Sequence, residues 1–105
     1  MSDWQFVAEE SALAEEEMVA ARLGDRHLIV YRTSKGLFAT GRRCTHQGAD
    51  LMRGYLEGEV IECPVHQGRF NVRTGAALNA PACEPLVTYE VRLNGGKLEV
   101  KLKQP

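Results

Sequence analysis

Cysteine and histidine occur in this chain as two mixed pairs, Cys44-Thr45-His46 and Cys63-Pro64-Val65-His66, with 16 residues between them. The pattern C-x-H-x16-C-x2-H constrains the fold more than any other feature. Four ligands of two kinds must reach one point from two short segments distant in sequence. Each pair fits on a single loop, so the chain must bring two loop tips together. Thiolate and imidazole supplied in equal number ask for a metal centre. One zinc ion in a tetrahedron is one reading of that donor set, and a two-iron cluster with a different ligand pair on each iron is the other. Zinc modules ordinarily group like ligands, C-x2-4-C followed by H-x3-5-H, whereas here the like ligands are split. The single residue between Cys44 and His46 is also tight for two ligands of one small ion, and it suits ligands directed at neighbouring irons.

The residues around the ligands carry a resemblance. Cys44-Thr-His-Gln-Gly-Ala-Asp-Leu51 and Cys63-Pro-Val-His-Gln-Gly-Arg-Phe70 resemble the two cluster-binding boxes of Rieske ferredoxins, the small electron carriers of aromatic-ring-hydroxylating oxygenases. The likeness spans nearly the whole chain, with a weaker echo at residues 81 to 91. It implies an all-β Rieske fold: an antiparallel β-sandwich or barrel base with an inserted two-loop cluster-binding subdomain at about residues 42–82. It further implies one [2Fe–2S] cluster, with Cys44 and Cys63 on one iron and His46 and His66 on the other. The expected partners are an NAD(P)H-dependent flavoprotein ferredoxin reductase, which supplies single electrons, and a terminal oxygenase, which receives them. Two readings from other classes remain open, a small Rieske-type subunit of an assimilatory nitrite reductase and a zinc-stabilised binding module.

Charge counting says why histidine matters in such a centre. Two ferric ions, two sulfides and two thiolates sum to zero when the imidazoles are neutral, so adding an electron meets less negative charge than with four thiolates. The potential rises relative to plant-type ferredoxins. High-potential Rieske proteins of respiratory complexes carry an extra cysteine in each box and two hydroxyl residues after the second histidine. The matching positions here are Ala49, Val65, Gly68 and Phe70, which implies the low-potential class.

A chain of 105 residues is expected to form one domain, 1–105, too small for a separate catalytic unit. An oxygenase subunit would need a further iron site of two histidines and a carboxylate, and the only other histidine is His27, expected on the surface or at a strand edge. No enzymatic activity is therefore expected of the chain itself. The net charge of −1 gives no case for nucleic acid or an anionic membrane as partner. Its distribution is uneven. Asp3, Glu9, Glu10, Glu15, Glu16 and Glu17 make the first 20 residues acidic, while Arg42, Arg43, Arg53, Arg69 and Arg73 lie in or beside the boxes, either as a solvated face or as a docking surface. No apolar run reaches the ~18 residues of a membrane span and no secretory signal is visible. A cytoplasmic monomer is expected. Of three cysteines only Cys83 lies outside the boxes, and it is expected to be a buried or half-buried free thiol.

Short apolar and β-branched runs between turn signals predict strands at 4–7, 18–22, 28–32, 37–40, 60–62, 69–72, 87–93 and 97–102. Asn94-Gly95-Gly96 supplies the positive φ angles of a tight hairpin, placing Tyr89, Val91 and Leu93 on one face with Leu98, Val100 and Leu102. Ser34-Lys35-Gly36, Glu57-Gly58-Glu59 and Thr74-Gly75 read as turns. Residues 10–17 favour a helical turn that Ser11 would cap. Gly48 and Gly68 are expected to let backbone approach the cluster and offer N–H groups to it. Pro81-Ala-Cys83-Glu-Pro85-Leu86 resembles the proline-bearing loop that covers the cluster in this family, and reads equally well as a rigid turn.

Overall fold

The computed structural model describes residues 4–13, 17–45, 48–65, 67–79 and 84–101. Among them lie nine strands: β1 (Trp4–Glu9), β2 (Met18–Leu23), β3 (Arg26–Thr33), β4 (Gly36–Gly41), β5 (Tyr55–Glu57), β6 (Val60–Glu62), β7 (Arg69–Asn71), β8 (Thr88–Asn94) and β9 (Lys97–Lys101). Six form an antiparallel sheet in the order β1-β9-β8-β4-β3-β2, and its two edge strands touch, so the sheet nearly closes into a barrel. The other three form a small sheet in the order β5-β6-β7. No described helix is long and apolar enough to cross a membrane.

β3 explains how two cores coexist in so short a chain. Its run Leu28-Ile29-Val30-Tyr31 is buried throughout, and alternate side chains of a strand point to opposite faces. Leu28 and Val30 join Leu13, Ala21, Ala39, Tyr89, Leu98 and Val100 inside the barrel. Ile29 and Tyr31 join Leu51, Ile61, Phe70, Val72 and Leu86 in a second core between the barrel wall and the small sheet. Each such side chain contributes roughly 1.5–3 kcal/mol by burial, so β3 is the wall on which both cores depend. Tyr31 and Thr40 share a 2.8 Å hydroxyl–hydroxyl bond, and the Thr40 hydroxyl donates to the Gly41 carbonyl at 2.8 Å. Burial pushes the Tyr31 hydroxyl well above its usual pKa.

The predicted insertion follows from register. β4 pairs with β8 through Ala39↔Tyr89 and Thr40↔Thr88, so the chain leaves the barrel after Gly41 and returns beside the point it left. The excursion holds the small sheet and extends past residue 82, because the segment before β8 stays attached to it through the 2.8 Å bond from Leu86 N–H to the Gly75 carbonyl.

Three local expectations change. The helical segment is a 3-10 turn, Glu10–Leu13, with Ser11 inside it rather than ahead of it as a cap. Leu13 plugs the barrel, and the turn is tied down where Arg32 Nη1 donates to the Leu13 carbonyl at 2.8 Å. In the β8–β9 hairpin, Tyr89, Leu98 and Val100 are buried, but Leu93 is 46% exposed because it sits next to the turn, beyond the end of the core. Leu102 lies outside the described residues. β5 and the short 3-10 turn Leu51–Arg53 join the predicted elements.

Candidate metal centre

Both cysteines stand where a hairpin gives way to its loop, and the two loops are closed in the same manner. The Cys44 N–H donates to the Ala49 carbonyl at 2.8 Å, and the Cys63 N–H donates to the Gly68 carbonyl at 2.7 Å. Each bond spans the same sequence interval. The first loop leaves β4 and is paired at its base by an Arg43↔Asp50 bridge and a 2.9 Å bond from Leu51 N–H to the Arg42 carbonyl. The second connects β6 to β7, whose last pair before the loop is Glu62↔Arg69. Gly48, at φ 69°, makes the left-handed turn of the first loop, and its N–H is spent on the Cys44 carbonyl at 2.8 Å. Glycine suits that left-handed turn, where a side chain would be strained.

Cys44 and Cys63 are 4% and 1% exposed and belong to the second core, beside Leu51, Ile61 and Phe70. The two thiols are free and lie within hydrogen-bonding reach of each other. Burial pushes the Cys63 thiol up, the Val65 N–H pulls the other way by donating to its sulfur, and the neighbouring Cys44 thiol adds to the rise. Two unlinked thiols converging in an apolar floor suit a metal centre, because a bound cation would offset the cost of burying thiolates. That geometry fits the thiolate half of an iron-sulfur cluster. His46 and His66 each follow directly on a described residue, Thr45 and Val65, and like residues 80–83, Cys83 among them, they lie outside the described residues. His27 is exposed near the start of β3, as expected of a surface histidine.

Several supports were not singled out from the sequence. Asp50 is the chief one: its Oδ1 accepts from Arg42 Nε at 2.8 Å and from Met52 N–H at 3.0 Å, and its Oδ2 accepts from Arg42 Nη2 at 2.8 Å. It thereby caps the turn Leu51–Arg53 and clamps the two sides of the first loop. The Arg42 hydrogen bonds, helped by that from Met52, hold the Asp50 carboxyl down to about 2. Thr45 Oγ1 donates to the Glu84 carbonyl at 2.7 Å, fastening the first loop to the segment before β8. Asn79 steadies the second loop by accepting from Arg69 N–H at 2.8 Å. An aspartate just ahead of a short turn is a readable cap signal; the other two contacts are long-range and leave no local trace.

The arginines divide once their partners are known. Arg42 is bound to Asp50, and Arg69 Nε is 2.9 Å from Glu62 Oε1, so both are neutralised locally and neither belongs to an open basic surface. Arg43 donates to the Gly48 carbonyl at 3.3 Å and remains exposed, as do Arg53 and Arg73.

Residues 3–90 match the Rieske [2Fe-2S] domain. The ferredoxin component of the naphthalene 1,2-dioxygenase system of Pseudomonas aeruginosa is 38% identical over 90 residues, 86% of either chain. The anthranilate 1,2-dioxygenase ferredoxin subunit of Burkholderia cepacia is 35% identical over 102 residues, covering 97% of this chain and 94% of its own. A chain in the solved complex of reduced oxygenase and oxidized ferredoxin in carbazole 1,9a-dioxygenase superposes with a TM-score of 0.86 at 36% identity, over 100% of this chain and 99% of that one. Both relatives are named as the ferredoxin component or subunit of a dioxygenase system. A match across most of the sequence, repeated in fold and in chain length, makes this protein a member of the Rieske [2Fe–2S] domain family, with one [2Fe–2S] cluster as its cofactor.

Proposed function

We propose that the protein is a ferredoxin that carries single electrons from an NAD(P)H-dependent flavoprotein reductase to the terminal oxygenase of an aromatic-ring-hydroxylating system, as a cytoplasmic monomer with its cluster on a single domain. Cys44 and Cys63 hold one iron, and His46 and His66 hold the other. The observation that carries the reading is the meeting of the two box cysteines, free and buried, at the bases of two loops closed by equivalent bonds. The names of relatives matched over nearly their whole length favour the carrier over a nitrite reductase subunit or a zinc module.

When bound, the cluster supplies one-electron exchange. The chain's own part is to hold its ligands rigidly, keep water from the thiolate side and set the potential. Phe70 is fully buried, Gly68 lends its carbonyl to Cys63, and Ala49 and Val65 have no sulfur to pair. None of these four residues offers a side-chain donor to the cluster, which supports a potential near the lower end of the general Rieske range, about −150 mV. The test is stopped-flow transfer with purified components: flavoprotein reductase and NADH should reduce the protein, and the reduced protein should be reoxidised by the terminal oxygenase at a rate that sustains turnover. Reduction without reoxidation by any such oxygenase would refute the reading.

A further inference from the structure

Beside the first loop, the surface carries an open groove of about 430 Å³ that none of the cluster chemistry uses. One wall is the β2–β3 turn with Asp25, Arg26 and His27, and the other is the stretch of the first loop from Gly41 to Arg43. Thr45 forms its upper lip, immediately after Cys44, and the floor is the segment Leu86–Val87 leading to Tyr89. The walls are joined where the Arg42 N–H donates to the His27 carbonyl at 3.1 Å, and the floor is joined where the Gly41 N–H donates to the Val87 carbonyl at 2.9 Å. The groove therefore has a backbone-bonded frame.

Its charge is one-sided. Asp50 already neutralises Arg42, whereas Arg26 and Arg43 together outweigh Asp25. Among the described residues the side chains of Arg26 and His27 have no hydrogen bond or ion pair, and Val87 is 60% exposed on the floor. A protein of net charge −1 thus sets an unneutralised basic wall and an apolar floor next to the loop that bears its first cysteine.

We infer that this groove receives an acidic segment of the terminal oxygenase, its carboxylates meeting Arg26 and Arg43 and an apolar side chain resting on Val87. This inference rests on the carrier reading and adds to it a docking element on the flank of the barrel, beyond the loop tips. A carrier must bind and leave within each cycle, so small, charge-steered contacts suit it, and loss of charge acts mainly on association rate.

The experiment is stopped-flow electron transfer from the reduced, cluster-loaded protein to the oxygenase component of its own system, at ionic strengths of roughly 0.01 and 1 M, where the Debye length falls from about 30 to 3 Å. Arg26→Glu and Val87→Glu should each lower the second-order rate constant at low salt by roughly 5- to 20-fold, within the range over which steering acts. The Arg26→Glu deficit should shrink to below about twofold at high salt. Lys97→Glu makes the same charge change at the far end of the β8–β9 hairpin and should stay within about twofold throughout. Iron content, visible spectrum and potential must match wild type in each variant. Wild-type rates in both groove variants would overturn the inference while leaving the carrier role intact. A deficit confined to reduction by the reductase would overturn the choice of partner, and a wild type that transfers no electron to the oxygenase would remove the carrier reading and the groove with it.

Discussion

Replacing Asp50 by alanine should loosen the first loop far more than a surface substitution would. The side chain makes three bonds at 2.8 to 3.0 Å, and the Arg42 and Asp50 side chains are only 29% and 17% exposed. Loss of the cap to Met52 costs about 1 kcal/mol. The two-pronged ion pair, mostly shielded from solvent, adds about 1–2 kcal/mol, above the value for exposed pairs. A total of about 2–3 kcal/mol corresponds to a roughly 30- to 150-fold rise in local opening. Hydrogen exchange read by mass spectrometry on the cluster-loaded protein measures this without unfolding it. Peptides spanning residues 42–53 should lose protection by that factor, and peptides spanning β2 and β3 should change much less. A double-mutant cycle with Arg42→Ala isolates the pair and should return a coupling of about 1–2 kcal/mol. Exchange in 42–53 within twofold of wild type, or a coupling of zero, would refute the claim that this clamp fixes the loop.

Further outcomes follow from neighbouring features. Because Arg42 holds the Asp50 carboxyl down to about 2, below the ordinary ~3.9, its stabilisation is complete above about pH 4 and is lost as pH falls through 2; thermal midpoints of wild type and Asp50→Asn should therefore converge over that interval, and a gap that widens on acidification would contradict the pairing. Gly75→Ala places a Cβ against the Leu86 carbonyl oxygen at a φ of 81°, whereas Gly58→Ala, at φ 61°, meets open space. The first should lower the melting midpoint by more than about 10 °C and the second by about 4–8 °C, the equivalent of the left-handed penalty alone. Cys63→Ser or His66→Ala should lower iron and acid-labile sulfide well below the two of each per chain that one [2Fe–2S] cluster contains, and full occupancy in either variant would remove that residue from the ligand set.

Much of the barrel was legible because its strands are dense in β-branched and aromatic residues and are punctuated by glycine turns; β3 and the β8–β9 hairpin are the clearest cases. β5 was not, since Tyr55-Leu56-Glu57 contains one inward apolar residue and becomes a strand only by pairing with β6. The long-range pairs β1–β9 and β4–β8 were equally invisible, because no local signal encodes which distant strands meet. At the candidate centre, the two cysteines could be read from the motif, and their convergence is what the fold adds. Which arginines stay free could not be read: Arg69 is neutralised by a cross-strand partner, Glu62, and Arg42 by an acid on the opposite side of its own loop. The collision site at Gly75 depends on the carbonyl of Leu86, brought near only by the folded excursion.

The assignment of His46 and His66 to one iron is the point on which the carrier reading turns, since three cysteines cannot supply four thiolates. Pulsed electron paramagnetic resonance on the reduced protein, grown with ¹⁵N-histidine, counts the imidazole nitrogens coupled to the cluster. The expected result is two coupled nitrogens in wild type, with one lost in any cluster-retaining variant of either histidine. Coupling to one histidine, or to none, would contradict the proposed centre.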